Sequence, residues 1–133
     1  MKRVFLDTNI VVYNHTRTEQ SKFEKSAELL LRVEGVISTQ VLSEVSNVLS
    51  KKFHYPWADI QDVIGEINSN LEVLVITPAT IDAALTLSER YKYSYYDSLI
   101  LASAIEADCS ILYSEDFEHN QIIEGVRIIN PFL

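Results

Sequence analysis

The feature that most constrains this chain is its rhythm, in which short apolar runs alternate with segments whose apolar residues recur at helical spacing. Residues 3–6 read as a short buried strand ending at the polar triplet Asp7-Thr8-Asn9, which suits a turn or a helix cap. A helical stretch follows, broken near residues 14–18. Residues 21–33 then place Phe23, Ala27, Leu30 and Leu31 at helical spacing, with Gly35 as the stop. Val36-Ile37 is a very short strand, and Ser38-Thr39 is placed to cap a helix running to about residue 52. Pro56 opens another helix to about residue 67. Residues 71–76 are strand-like, and Thr77-Pro78 starts a helix to about residue 91. Residues 95–107 form a strongly apolar helix, and residues 111–113 and 126–129 are the last two strands. Strands this apolar are buried on both faces. Their alternation with helices predicts an α/β fold with a mostly parallel sheet of about five strands between helical layers. No repeat, linker or low-complexity stretch divides the chain, so a single domain over residues 1–133 is expected.

Composition narrows the setting. An apolar fraction of 47% with 23% charged residues is that of a globular chain. No run approaches the roughly 18 apolar residues of a membrane span. The apolar run at residues 4–6 is interrupted at once by Asp7, too short for a secretory signal, so the expectation is a cytoplasmic protein without a membrane partner. The only cysteine, Cys109, has no internal disulfide partner and reads as a small buried residue. A net charge of −8 argues against a simple nucleic-acid binder, which shows a basic footprint. That conflict softens if several acids hold a cation, and an acidic surface also attracts a basic partner.

Four acids stand in core-forming segments. Asp7 ends the run Val4-Phe5-Leu6, Glu44 follows Val41-Leu42-Ser43, Asp97 precedes Ser98-Leu99-Ile100-Leu101, and Asp116 follows Ile111-Leu112-Tyr113-Ser114-Glu115. No lysine or arginine lies within these segments to offset the charge, and buried carboxylates without a cation are destabilising. Asp7 and Asp116 fall at or just beyond the ends of the first and fourth expected strands, where ligands of parallel α/β sheets gather. Glu44 shares a helical face with Val41 and Val48, and Asp97 neighbours Ile100, Leu101 and Ala104, so both approach the same sheet edge. A place near a helix start also favours such acids through the helix dipole. Each acid alone has an ordinary structural role open to it: Asp7 as a cap, Glu44 as a boundary residue, Asp97 as a first-turn acid, Asp116 as a turn residue. Together they point to one site. Carboxylates without histidine or cysteine neighbours suit Mg²⁺ or Mn²⁺, and such ions serve phosphoryl chemistry.

The chain resembles the PIN-domain ribonucleases, most closely the VapC-type toxins of toxin–antitoxin pairs. The resemblance spans nearly the whole length. It rests on Val4-Phe5-Leu6-Asp7-Thr8-Asn9, Ser43-Glu44-Val45, the run from Tyr96-Asp97-Ser98 to Ala104, Leu112-Tyr113-Ser114-Glu115-Asp116-Phe117, and the closing Gly125 to Pro131. It implies a PIN-like α/β/α sandwich and a metal-dependent endonuclease acting on single-stranded RNA. Asp7, Glu44 and Asp97 are the principal acids it implies, with Asp116 as the fourth and Glu115 as the residue that could replace it. Thr8 or Asn9 is implied to orient the first ligand, and Ser114 to stand behind it. An antitoxin whose tail inserts near the site, and a homodimer, are implied as well.

Other chemistries fit less well. A phosphatase of the haloacid dehalogenase type needs a second aspartate two residues after the first, where this chain has Asn9. A receiver domain needs an acidic pair before the end of its first strand and a late lysine. A non-catalytic module, whose acids hold a structural ion or a basic peptide, stays open. His15, His54 and His119 lack ligand spacing and read as surface residues. Tyr91, Tyr93, Tyr95 and Tyr96 either stack bases or pack helix against helix. Lys51, Lys52, Arg90 and Lys92 read as solvated.

Overall fold

A computed structural model describes residues 1–133. The chain runs β1 (Lys2–Leu6), α1 (Thr8–Thr16), α2 (Gln20–Leu30), β2 (Val33–Ser38), α3 (Thr39–Lys51), α4 (Trp57–Asn70), β3 (Glu72–Leu74), α5 (Pro78–Tyr91), α6 (Tyr95–Glu106), β4 (Ile111–Tyr113), β5 (Ile122–Ile123) and β6 (Val126–Ile129). The sheet order is β3-β2-β1-β4-β6-β5, parallel except for the β5–β6 pair. This is the expected mostly parallel α/β sandwich, with six strands rather than about five.

The central strands bury their apolar residues completely. Val4, Phe5 and Leu6 of β1, Val36 and Ile37 of β2, and Leu112 of β4 are all buried, as burial on both faces requires. From β1 the chain moves through α1 and α2 to β2, then through α3 and α4 to β3, always in one direction across the sheet. It then returns through α5 and α6 to β4 on the far side of β1. Right-handed crossovers therefore put α1–α4 on one face and α5–α6 on the other, in keeping with α1 packing on α2 and α3, and α5 on α6. The reversal of direction occurs between β1 and β4, so a crevice opens beyond their carboxyl ends.

Two boundaries differ from expectation for clear reasons. Gly35 does not stop a helix: α2 ends at Leu30, and Gly35 sits inside β2 opposite Val4. A Cβ there would lie 2.7 Å from Leu71 Cδ2 and 3.3 Å from Leu6 Cδ1, so a close approach of side chains selects the glycine. The two-residue strand β5 was not expected at all. It forms a hairpin with β6 through Glu124 and Gly125, both at positive φ (48° and 85°), a two-residue turn of the type that closes hairpins. At the other end of the sheet Arg3 donates to Glu34, Glu72 and the carbonyl of Ala107, tying the amino ends of three strands to the end of α6.

Candidate metal centre

Asp7 stands at the switch between β1 and β4. Its amide donates to the Tyr113 carbonyl at 3.0 Å, continuing the ladder one step past the end of β1. Its carboxylate caps α1, Oδ1 accepting from the Thr8 amide at 2.7 Å, and Oδ2 accepts from the Ser114 hydroxyl at 2.6 Å. Only 4% of Asp7 is exposed. Burial pushes its carboxyl up to about 7, and the nearby Asp116 and Glu44 add to the rise while the Ser114 and Thr8 bonds oppose it. No lysine or arginine is bonded to it.

The other three acids line the same cleft, of about 660 Å³. Glu44, on the sixth residue of α3, accepts from the Thr8 hydroxyl at 2.6 Å. It lies beyond the first turn, so the dipole argument applies to Asp97 and not to Glu44. Asp97 is in the first turn of α6, its amide donating to the Ser94 hydroxyl at 3.3 Å, and burial raises its carboxyl with Asp116 contributing. Asp116 lies in the loop after β4. Its amide donates to Ser114 Oγ at 3.0 Å and its Oδ2 accepts from Asn9 Nδ2 at 2.9 Å. Ser114 thus ties the loop after β4 to the end of β1: it donates to Asp7 and accepts from the Asp116 amide. The residues that orient Asp7 are Ser114 and the Thr8 amide. The Thr8 and Asn9 side chains orient Glu44 and Asp116 instead.

Glu115 takes a different place. It accepts from Tyr13 and, at 3.0 Å, from Lys22 Nζ, whose ammonium also lies 4.6 Å from the Tyr13 ring centre and 5.3 Å from that of Phe132. Its charge is neutralised at the cleft wall, while the Asp116 carboxylate is bonded to the neutral Asn9 and to no cation. The four acids share a cleft but do not yet share a point: no three acid, histidine or cysteine side chains converge tightly enough to hold an ion as they stand. One detail marks the cleft as open to a cation or donor: Asn9 Oδ1 is buried with no hydrogen-bond partner.

The model of the PIN domain family matches residues 4–124. The chain belongs to the PIN domain family. No curated protein sequence gives a match. Among solved structures, this PIN domain is similar to Mycobacterium tuberculosis VapC20, a sarcin-ricin loop cleaving toxin, at a TM-score of 0.73 and 16% identity over 86% of this chain and 91% of that one. It is similar to a toxin–antitoxin complex from Klebsiella pneumoniae, at 0.71 and 21% over 96% and 97%. It is also similar to Rickettsia felis VapBC2 bound to a promoter DNA fragment, at 0.68 and 21% over 95% and 96%. These likenesses establish a shared PIN fold.

Several features of the PIN domain escaped the sequence. Lys52 is exposed, as expected, but stands at the acid cleft, and Tyr13 and Lys22 fix Glu115. Lys22 and Lys52 lie in polar stretches, and Tyr13 closes the apolar run Ile10-Val11-Val12 as any packing ring would, so no local pattern marks them for the cleft. His15 is half-buried on α1, with burial holding its imidazole below the usual range, because its helix packs on α2 and α3. Ser38 precedes α3 but forms no side-chain cap; its hydroxyl is buried without a partner. Arg90 pairs with Glu124, and Lys92 lies 3.9 Å from Glu89. Cys109 is buried, which pushes its thiol up to about 11. No helix is long and apolar enough to cross a membrane.

Proposed function

We propose that this PIN domain is the ribonuclease toxin of a toxin–antitoxin pair, cutting single-stranded RNA with Mg²⁺ or Mn²⁺ held by Asp7, Glu44, Asp97 and Asp116. The observation that carries this is the buried, cation-free carboxylate of Asp7 at the β1/β4 switch, with three further acids on the same cleft. The donor set fits a hard divalent ion: oxygen ligands only, an acid held rigidly by two hydrogen bonds that leave lone pairs free, and the unpartnered Asn9 Oδ1 nearby. When bound, the ion supplies an activated water and offsets the charge that builds on the phosphate.

The chain's own residues do the positioning. Ser114 and the Thr8 amide fix Asp7, the Thr8 hydroxyl aims Glu44, and Asn9 holds Asp116 beside them. Tyr13 and Lys22 keep Glu115 aside, so that Asp116 rather than Glu115 is the fourth acid of this proposal. The partners we propose are a cognate antitoxin, whose basic segment the acidic cleft would attract, and a second copy of the chain in a homodimer. The proposed setting is the cytoplasm, with residues 1–133 as one domain. A second reading, an acidic module that holds a structural ion or a basic peptide without catalysis, draws on the same acid-lined cleft.

The test is cleavage of single-stranded RNA in Mg²⁺ or Mn²⁺ against chelator. Cutting is expected only with metal, and Asp7→Asn and Asp97→Asn should each abolish it while circular dichroism shows a folded chain. Variants that cut normally would remove these acids from the site. A wild type that never cuts in either metal would favour the non-catalytic module.

A further inference from the structure

The charge of the cleft poses a problem for any RNA that enters it. Asp7, Glu19, Glu44, Asp97, Glu115 and Asp116 line it, against one lysine, Lys52. Proteins that hold nucleic acid chiefly through phosphates surround it with cations. Beyond what a metal would supply, the side chains of this cleft offer the backbone charge one lysine against six acids. An acidic site that binds a single strand must use the bases, and every base offers a flat π-face.

Three aromatic rings line the cleft: Tyr13, Phe53 and Tyr96. The first two are occupied. Tyr13 carries the Lys22 ammonium and the edge of Phe132, and Phe53 has Lys52 Nζ 5.5 Å from its centre and Tyr55 against it. Tyr96 has no cation over it and is 64% exposed. Its footing is nonetheless fixed. It stands in the first turn of α6, its carbonyl accepts from Nε2 of the buried Gln40 at 3.1 Å, and the half-buried Tyr95 meets it edge-on with ring centres 5.1 Å apart and planes at 65°. The next residue is Asp97. A ring held at its base, open at its tip and one residue from a metal-site acid is suited to stacking at little entropic expense.

We propose that Tyr96 is a base-stacking platform, taking the face of one unpaired nucleobase that flanks the phosphate cleaved in the acid cleft. This rests on the nuclease reading above and deepens it by naming what holds the strand. Steady-state cleavage of a short single-stranded RNA tests it. Tyr96→Ala is expected to raise KM about 5- to 150-fold, the range stacking of one base spans, with kcat changed far less, while Tyr96→Phe and Tyr96→Trp retain the wild-type KM. Replacing successive nucleotides by abasic ones supplies a second readout: one position weakens the wild type to the level of Tyr96→Ala, and the two losses do not add. An unchanged KM in Tyr96→Ala, or losses that add at every abasic position, overturns the proposal while leaving the nuclease reading intact. So does a loss that tracks a change in oligomeric state on a sizing column. If the wild type cuts no RNA, both fall together.

Discussion

At the residue scale the decisive group is Asp7, because its two roles conflict. As a helix cap bonded to Ser114 it stabilises the fold, yet as a buried carboxylate it destabilises the metal-free state. Its carboxyl is raised from 3.8 to about 7 on folding, so between these values the folded chain binds more protons than the unfolded one. Stability attributable to Asp7 therefore falls as pH rises through that window and is lowest above about 7. Asp7→Asn removes the charge but keeps an acceptor for the Thr8 amide, while the altered pairing with Ser114 gives back about 1 kcal/mol. In chelator the variant should be more stable than wild type by about 1–3 kcal/mol at pH 8 and no more stable at pH 4. Urea unfolding across pH reads this directly, and a difference that does not change with pH would show that burial of the charge is not what raises this carboxyl.

At the element scale, what determines each boundary decides how much of the fold could be read in advance. Strands β1, β4 and β6 and helices α5 and α6 are marked by their own residues, a predominantly apolar run or the Thr77-Pro78 start with its capping box, and the sequence places them within about a residue. Gly35 and β5 depend on neighbours. Gly35 looks like a stop because glycine commonly ends helices, whereas its reason is Leu71, thirty-six residues away. Strand β5 is two residues long and turns through a glutamate at positive φ, so neither length nor turn residue announces it. The contact with Leu71 gives a graded prediction. In Gly35→Ala the intruding atom is the end of a flexible, half-buried side chain, so the change should stay within about 1 kcal/mol. Gly35→Val also presses on the fully buried Leu6 and should lose about 1–3 kcal/mol. Chemical denaturation separates the two, and a Val variant as stable as wild type would show that β2 has room to move.

At the scale of the whole molecule, the positive charge lies away from the acids that need it. Arg3 ties the amino ends of the strands, Arg90 pairs with Glu124, and Lys22 is taken by Glu115, leaving the crevice at the carboxyl ends markedly acidic in a chain of net charge −8. The four acids were legible because each interrupts an apolar run. Thr8, Asn9 and Ser114 stand beside Asp7 and Asp116 in sequence but bond across the cleft, to Glu44, Asp116 and Asp7 in turn, and Lys52 and Tyr13 reach the cleft only through the packing of α1 and α3 around it. An acid cleft of this kind should bind a divalent cation to the folded state alone. Folding is then stabilised by mass action, about 2.7 kcal/mol when the free ion is a hundredfold above its dissociation constant. Thermal unfolding should accordingly shift upward with Mn²⁺, return to baseline with chelator, and respond much less to sodium chloride at equal ionic strength, since diffuse screening does not replace a ligand. Asp97→Asn should blunt the Mn²⁺ response, and Asp7→Asn should begin from a higher baseline and gain less. A wild type whose unfolding ignores Mn²⁺ would instead leave the acids to a basic peptide, and titration with a lysine- and arginine-rich peptide would then produce the shift that the metal did not.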